Sequence, residues 1–205
     1  MRTLTSTMAS AALLLWLSPA FPAEEETGIN NDGFITTWLL LAPIPMEKDQ
    51  SGANALNKEQ IKEEAKLQPK DGDTVKVGEK KLVWKKYQAK ESYFDFNAYL
   101  EKETEDSVGY AVCYIHAAKE MKDIQLKTGS DDQCKIYLNG KEVFKYTEDR
   151  PLEVDEDTTV VTLQKGVNVF VFKVVNEKED WSGCARFMDK DGNVIRNLKV
   201  TLAPK

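Results

Sequence analysis

Hydrophobic and polar positions alternate along this chain in short blocks, and the first block differs from all the others. Ala11-Ala12-Leu13-Leu14-Leu15-Trp16-Leu17 is an unbroken apolar run, preceded by Arg2 and ended by Ser18-Pro19-Ala20. A positive start, a short apolar centre and small residues in that order predict a secretory signal peptide over residues 1–23, cleaved after Ala20 or Ala23. The run is shorter than the roughly 20 residues a membrane helix needs. No later run reaches that length, so no transmembrane segment is expected and the expected location is secreted or periplasmic. Residues 24–33 are polar, from Glu24-Glu25-Glu26 to Asn31-Asp32-Gly33, and predict a flexible lead-in.

Residues 34–205 read as a single domain. Phe34 to Leu41 is a rich apolar run that predicts a buried first strand, ended by Pro43 and Pro45. Residues 54–67 predict the one helix: Asn54 or Asn57 caps it, Ile61 and Ala65 share a face, and Pro69 and Asp71-Gly72 close it. It is short and is expected to lie over a sheet edge. From Thr74 onward short apolar runs recur with turn signals between them, the pattern of an all-β sandwich or barrel. Strands are predicted over 74–77, 81–87, 92–96, 108–117, 121–128, 133–138, 141–145, 158–163, 167–176, 183–188 and 193–202. Asn139-Gly140 between two such runs favours the type I′ turn of a tight hairpin, and Asp191-Gly192 marks a second. Val167 to Phe172 is apolar at both parities, which places it centrally in a sheet.

Charge narrows the classes of partner. The chain carries 28 basic and 34 acidic residues, a formal charge of −6. Such a surface repels nucleic acid at long range, so no nucleic-acid partner is expected. The charges are interspersed along the chain and read as a solvated surface. Three cysteines remain, Cys113, Cys134 and Cys184. An odd count leaves at least one unpaired within the chain. Cys113–Cys184 and Cys134–Cys184 are the candidate bridges, and Cys134 is expected to be buried because it shares a strand face with Ile136 and Leu138.

The usual catalytic kits are missing. The sequence has no nucleophile elbow, phosphate loop, dinucleotide fingerprint or zinc-protease motif. Its one histidine, His116, falls inside a predicted strand, where a packed or surface role is expected. A two-carboxylate glycosidase would need a pair about 5–10 Å apart in a cleft. The chain is therefore not expected to be an enzyme.

The informative stretch is Gly129-Ser130-Asp131-Asp132 followed by a short strand, Asn139-Gly140 and another short strand. Other pieces follow in a consistent order: Trp38 to Pro45, Pro69 to Asp73, Trp84-Lys85, Leu163 to Asn168, and Trp181 to Asp189 with Arg186. Together they resemble the galactose-binding-domain-like and PA14-like sandwich modules of secreted bacterial glycan-associated proteins, over most of residues 34–202. Two positions depart from that pattern, Val167 where a Trp is usual and Ala42 where a Gly is usual.

The resemblance implies a jelly-roll β-sandwich of two antiparallel sheets with one short peripheral helix, acting as a non-catalytic carbohydrate-binding module. It implies that Asp131 and Asp132 hold a calcium ion that touches sugar hydroxyls, although no cofactor is required. Asn176, Glu177, Glu179 and Asp180 are candidates for further oxygens, in keeping with the six to eight that calcium takes. Trp181 offers a flat face for a sugar ring, and Arg186 stands at the family's arginine position. The alternatives are that Asp131 and Asp132 only shape a turn, that Trp181 packs in the core, and that Arg186 pairs with an aspartate. The rival function is a structural or protein-interaction domain of the envelope, so the expected partner is an extracellular glycan or an envelope protein.

Overall fold

The computed structural model describes residues 28–204, so the expected signal peptide lies outside the described residues. The architecture is an all-β sandwich of antiparallel sheets. The larger sheet runs in the order β4 (Lys85–Gln88), β1 (Thr37–Pro45), β6 (Ser107–Ala117), β11 (Gly166–Asn176), β8 (Cys134–Leu138) and β9 (Lys141–Tyr146). A last strand, β13 (Lys199–Thr201), pairs with the end of β6 that β1 leaves free. The smaller sheet runs β10 (Asp157–Leu163), β7 (Met121–Asp131), β12 (Ser182–Met188) and β5 (Phe94–Asp95). A separate hairpin joins β2 (Thr74–Val77) to β3 (Lys80–Val83). Two short helices, α1 (Gly52–Asn57) and α2 (Phe96–Leu100), complete it. Among the described residues no helix is long and apolar enough to cross a membrane.

The inner core lies between the two sheets. Trp38, Phe94, Phe96, Phe170, Phe172 and Trp181 are all fully buried there. Several of these rings pack edge to face, with Trp38 and Phe94 centred 5.1 Å apart and Phe94 and Phe172 5.4 Å apart, while Phe96 and Trp181 stack; both arrangements are favourable for ring quadrupoles. Gly109 is required at this density, since a β-carbon there would stand 2.6 Å from the Phe96 ring.

A second core covers the outer face of the larger sheet. Leu39, Tyr110, Val112, Tyr114 and Val171 pack under Ala55, Leu56, Ile61 and Trp84. β6 and β11 are therefore buried on both faces, which explains why Val167 to Phe172 is apolar at both parities. The Asn139-Gly140 hairpin also forms as expected: both residues have positive φ, 52° and 80°, and join β8 to β9.

Several boundaries differ from expectation, each for a physical reason. β1 continues through Pro43 to Pro45, because its pairing with β6 shifts between Leu41 and Ile44 and so tolerates residues without an N–H. The predicted strand 81–87 splits at Trp84, which is buried and swings the chain from the hairpin to the edge of the larger sheet. The predicted strand 193–202 is mostly irregular, because the chain crosses there from the smaller sheet to β6. Residues 28–33, expected as a flexible lead-in, form a turn in which Asn30 donates to the Phe34 carbonyl at 2.9 Å.

The predicted helix 54–67 is also corrected. α1 begins earlier, capped by Ser51, and stops at Asn57; a single 3₁₀ turn follows at Glu64–Lys66. The break follows from Lys173 on β11. Its ammonium takes the carbonyls of Leu56 at 2.9 Å and Lys58 at 2.6 Å, which a longer helix would have used internally. The segment lies flat on the outer face of the larger sheet, over β11, rather than over an edge.

All three cysteines are free and buried. Neither candidate bridge is formed. Burial pushes the Cys134 thiol up to about 12 and the Cys184 thiol to about 11, far from the reactive range.

Candidate functional site

Asp131 ends β7, and Asp132 begins the two-residue corner into β8. The corner is held from several sides. Ser130 Oγ donates to the Asp132 carbonyl at 2.8 Å, and the Asp132 N–H donates to Val175 at 3.2 Å. Asp132 Oδ2 accepts from the Glu177 N–H at 2.9 Å, just past the end of β11. Glu177 in turn accepts from Gln133 Nε2 at 2.9 Å and from the Gly52 N–H at 2.8 Å, tying the corner to the start of α1.

Arg150 supports the corner from beneath. It is buried, and it donates to the Ser130 carbonyl at 3.2 Å, to Ser130 Oγ at 3.0 Å and to Asp157 at 2.5 Å. It also pairs with Glu156 at 2.9 Å and lies 3.7 Å above the Tyr146 ring.

Above this scaffold an open cleft of about 380 Å³ is lined by Asp131, Asp132, Asp149, Arg150, Lys178 and Asp180, among others. A neighbouring cleft of about 350 Å³ shares Asp131, Pro151 and Asp180 and adds Tyr93, Asp95 and Leu152. Two of the carboxyls are raised, by burial first and by neighbouring carboxylates second. Burial, helped by Asp180, lifts Asp131 to about 6. Burial, then a hydrogen bond and repulsion from Asp149, lifts Asp132 to about 8. Among the described residues no three His, Cys, Asp or Glu side chains are grouped so as to hold a metal ion.

Of the residues singled out from the sequence, Asp131, Asp132, Glu179 and Asp180 meet in this cleft, and Glu177 holds its corner. Trp181 backs the neighbouring cleft but is fully buried. Its ring stacks on Phe96 at 4.3 Å and its Nε1 donates to Asn97 at 2.9 Å, so no free face is left for a sugar. Asn176 is fully buried and donates to the Thr104 carbonyl. Arg186 forks onto Asp155, reaches the Asp32 carbonyl at 2.9 Å and covers the Phe34 ring. It belongs to a structural ion pair and does not line the cleft. His116 bonds Thr201 at 2.8 Å. Arg150 and Tyr93 were missed. Arg150 had a readable signal, a lone arginine within the acidic stretch Glu148 to Asp157 that must pair with some of it.

The raised carboxyls make stability fall with pH. Both fold with pKa values above their ordinary 3.8, so the folded chain keeps protons that the unfolded chain releases. Stability from this source is fully present below about pH 4 and is lost as pH rises through about 6 and then about 8. Thermal melts from pH 5 to 9 are expected to show a decline of a few °C that flattens in Asp132→Asn. Equal slopes in the two proteins would refute it.

No family model, curated protein or solved structure matches this chain.

Proposed function

We propose that this protein is an extracytoplasmic, non-catalytic binding module that takes a carbohydrate in the acidic cleft. One observation carries the reading: Asp131, Asp149, Asp180 and Lys178 converge on an open cleft whose neighbour presents the half-buried Tyr93. Carboxylates accept hydrogen bonds from sugar hydroxyls, lysine donates to them, and an aromatic side chain supplies the apolar face a pyranose stacks on. The resemblance to galactose-binding-like and PA14-like modules supports the same ligand class. In this reading Tyr93 takes the stacking role that the sequence suggested for Trp181.

Binding is favoured over hydrolysis by the state of Asp132. Its carboxyl has the largest upward shift in the cleft, yet it is only 3% exposed and accepts from the Glu177 N–H, which leaves little of it open to a glycosidic oxygen. The envelope-interaction reading has its own support in β10, an edge strand of the smaller sheet on which Val160 is 65% exposed. The resemblance would add calcium at Asp131, and because no three carboxylates among the described residues are grouped to hold it, its further oxygens would have to come from the sugar and from water.

A glycan array on the mature protein, run with calcium and with chelator, tests the proposal. At least one glycan is expected to bind, with affinity falling about tenfold, a loss of about 1.4 kcal/mol, in Tyr93→Ala and in Asp180→Ala. No glycan bound, binding indifferent to both substitutions, or release of reducing sugar would overturn it. Loss of binding in chelator would make calcium part of the site.

A further inference from the structure

We propose that the hairpin β2–β3 and the edge strand β4 form a second surface, which binds a flexible polyanionic polysaccharide. Residues 70–90 hold seven lysines and three acidic residues, a local charge of +4. The rest of the chain then holds 21 basic and 31 acidic residues, a charge of −10. Basic charge is therefore concentrated in the stretch that forms the hairpin and the edge strand.

The register sharpens the point. Lys76 and Lys81 stand directly opposite each other in the hairpin, with Lys80 beside them across from Val77. Like charges in directly opposed positions destabilise a strand pair. Of the lysines at 70, 76, 80, 81, 85, 86 and 90, only Lys76 makes an ion pair among the described residues, a solvent-exposed one with Glu79 at 3.7 Å. Lysines on β4 alone would be explained as protection of a sheet edge. Both strands of the two-stranded hairpin are edges as well, but edge protection does not call for two lysines directly opposed, where a carboxylate opposite one of them would protect the edge without the repulsion.

Beside the lysines lies a cleft of about 440 Å³, lined by Lys81, Lys85, Leu82, Val83, Tyr99 and Glu101 among others. It offers cations next to apolar and aromatic surface, which suits a sugar ring carrying sulfate, phosphate or carboxylate groups. The shape of the ridge selects among polyanions. Each hairpin strand spans four residues, roughly 13 Å. A rigid duplex or a flat anionic membrane would bring the −10 remainder of the protein within a Debye length, about 8 Å at physiological salt. A flexible chain follows the ridge without doing so.

The test is retention on immobilised heparin at low ionic strength, with a neutral polysaccharide column as control. An acidic protein is expected to be retained on heparin alone and to elute with rising salt. Lys80→Gln/Lys81→Gln/Lys85→Gln, a set of exposed positions checked for folding by thermal melt, is expected to bind heparin about tenfold more weakly or worse. Tyr93→Ala and Asp180→Ala are expected to be retained like the parent, which keeps this proposal separate from the acidic cleft. Flow-through of the parent protein, or unchanged elution of the triple variant, would overturn the proposal. Tighter binding to anionic vesicles or duplex DNA than to heparin would overturn the choice of partner.

Discussion

Glu64→Ala is expected to lower the melting temperature by roughly 10 °C. Glu64 is 5% exposed and Lys173 is wholly buried, on opposite sides of the contact between the 3₁₀ turn and β11. Lys173 Nζ donates to the two carboxylate oxygens at 3.0 and 3.2 Å. Tyr110 donates to one oxygen at 2.5 Å and Tyr137 to the other at 2.7 Å. Removing the carboxylate strands a buried ammonium and two buried hydroxyls at once. Loss of one partner from such a pair costs about 3–5 kcal/mol, and a protein of this size loses about 2–4 °C per kcal/mol. Burial already pulls the Lys173 pKa down, with Glu64 opposing it. The deficit in Glu64→Ala is therefore expected to shrink as pH rises and Lys173 sheds its proton. Lys173→Met leaves a carboxyl that can take up a proton and keep both tyrosine bonds, so its loss is expected to be about half as large. Glu64→Leu/Lys173→Met should recover much of the loss. A Glu64→Ala melt within about 2 °C of the parent would show that the network contributes little.

This network also shows where sequence reading stops. The strands were legible because each signal is local: alternating apolar positions set a face, and Asn139-Gly140 sets a turn. The 54–67 helix was misjudged because what ends it is not local. Its last carbonyls turn toward Lys173, a residue that reads as an interruption of an apolar strand until its partners are seen. Trp84 misled in the same way. Counted by alternation it continues a strand, but its burial in the outer core bends the chain there. β13 lies beside β6 rather than in the sheet its hairpin suggests, and no local pattern encodes that crossing.

The site was legible in part. Asp131 and Asp132 stood out as adjacent carboxylates at a strand entry, and they do line the cleft. Trp181, Asn176 and Arg186 carry chemistry that serves ligands and cores equally well. Which role each takes depends on partners distant in sequence: Phe96 and Asn97 for the tryptophan, Thr104 for the asparagine, Asp155 for the arginine. Composition cannot assign such partners.

Arg150→Met is expected to destabilise the fold by about 3–5 kcal/mol, again roughly 10 °C. The guanidinium is 8% exposed and joins three elements. It satisfies the Ser130 carbonyl and hydroxyl on β7, pairs with Asp157 at the start of β10, and lies over Tyr146 at the end of β9. Methionine keeps much of the apolar stem's packing but leaves Asp157 half-buried without its cation and the Ser130 carbonyl without its donor. Lysine keeps the charge but lacks the planar fork that reaches Ser130 and Asp157 together, so Arg150→Lys is expected to lose about half as much. The effect should extend to the cleft, because Ser130 Oγ also holds the Asp132 carbonyl. Urea unfolding of the three proteins measures the stability, and the Asp132-dependent part of the pH–stability slope reads the corner. A Met variant within about 1 kcal/mol of the parent would contradict the ion-pair assignment. A large loss with the pH slope unchanged would mean that Arg150 holds the sheet together without positioning Asp132.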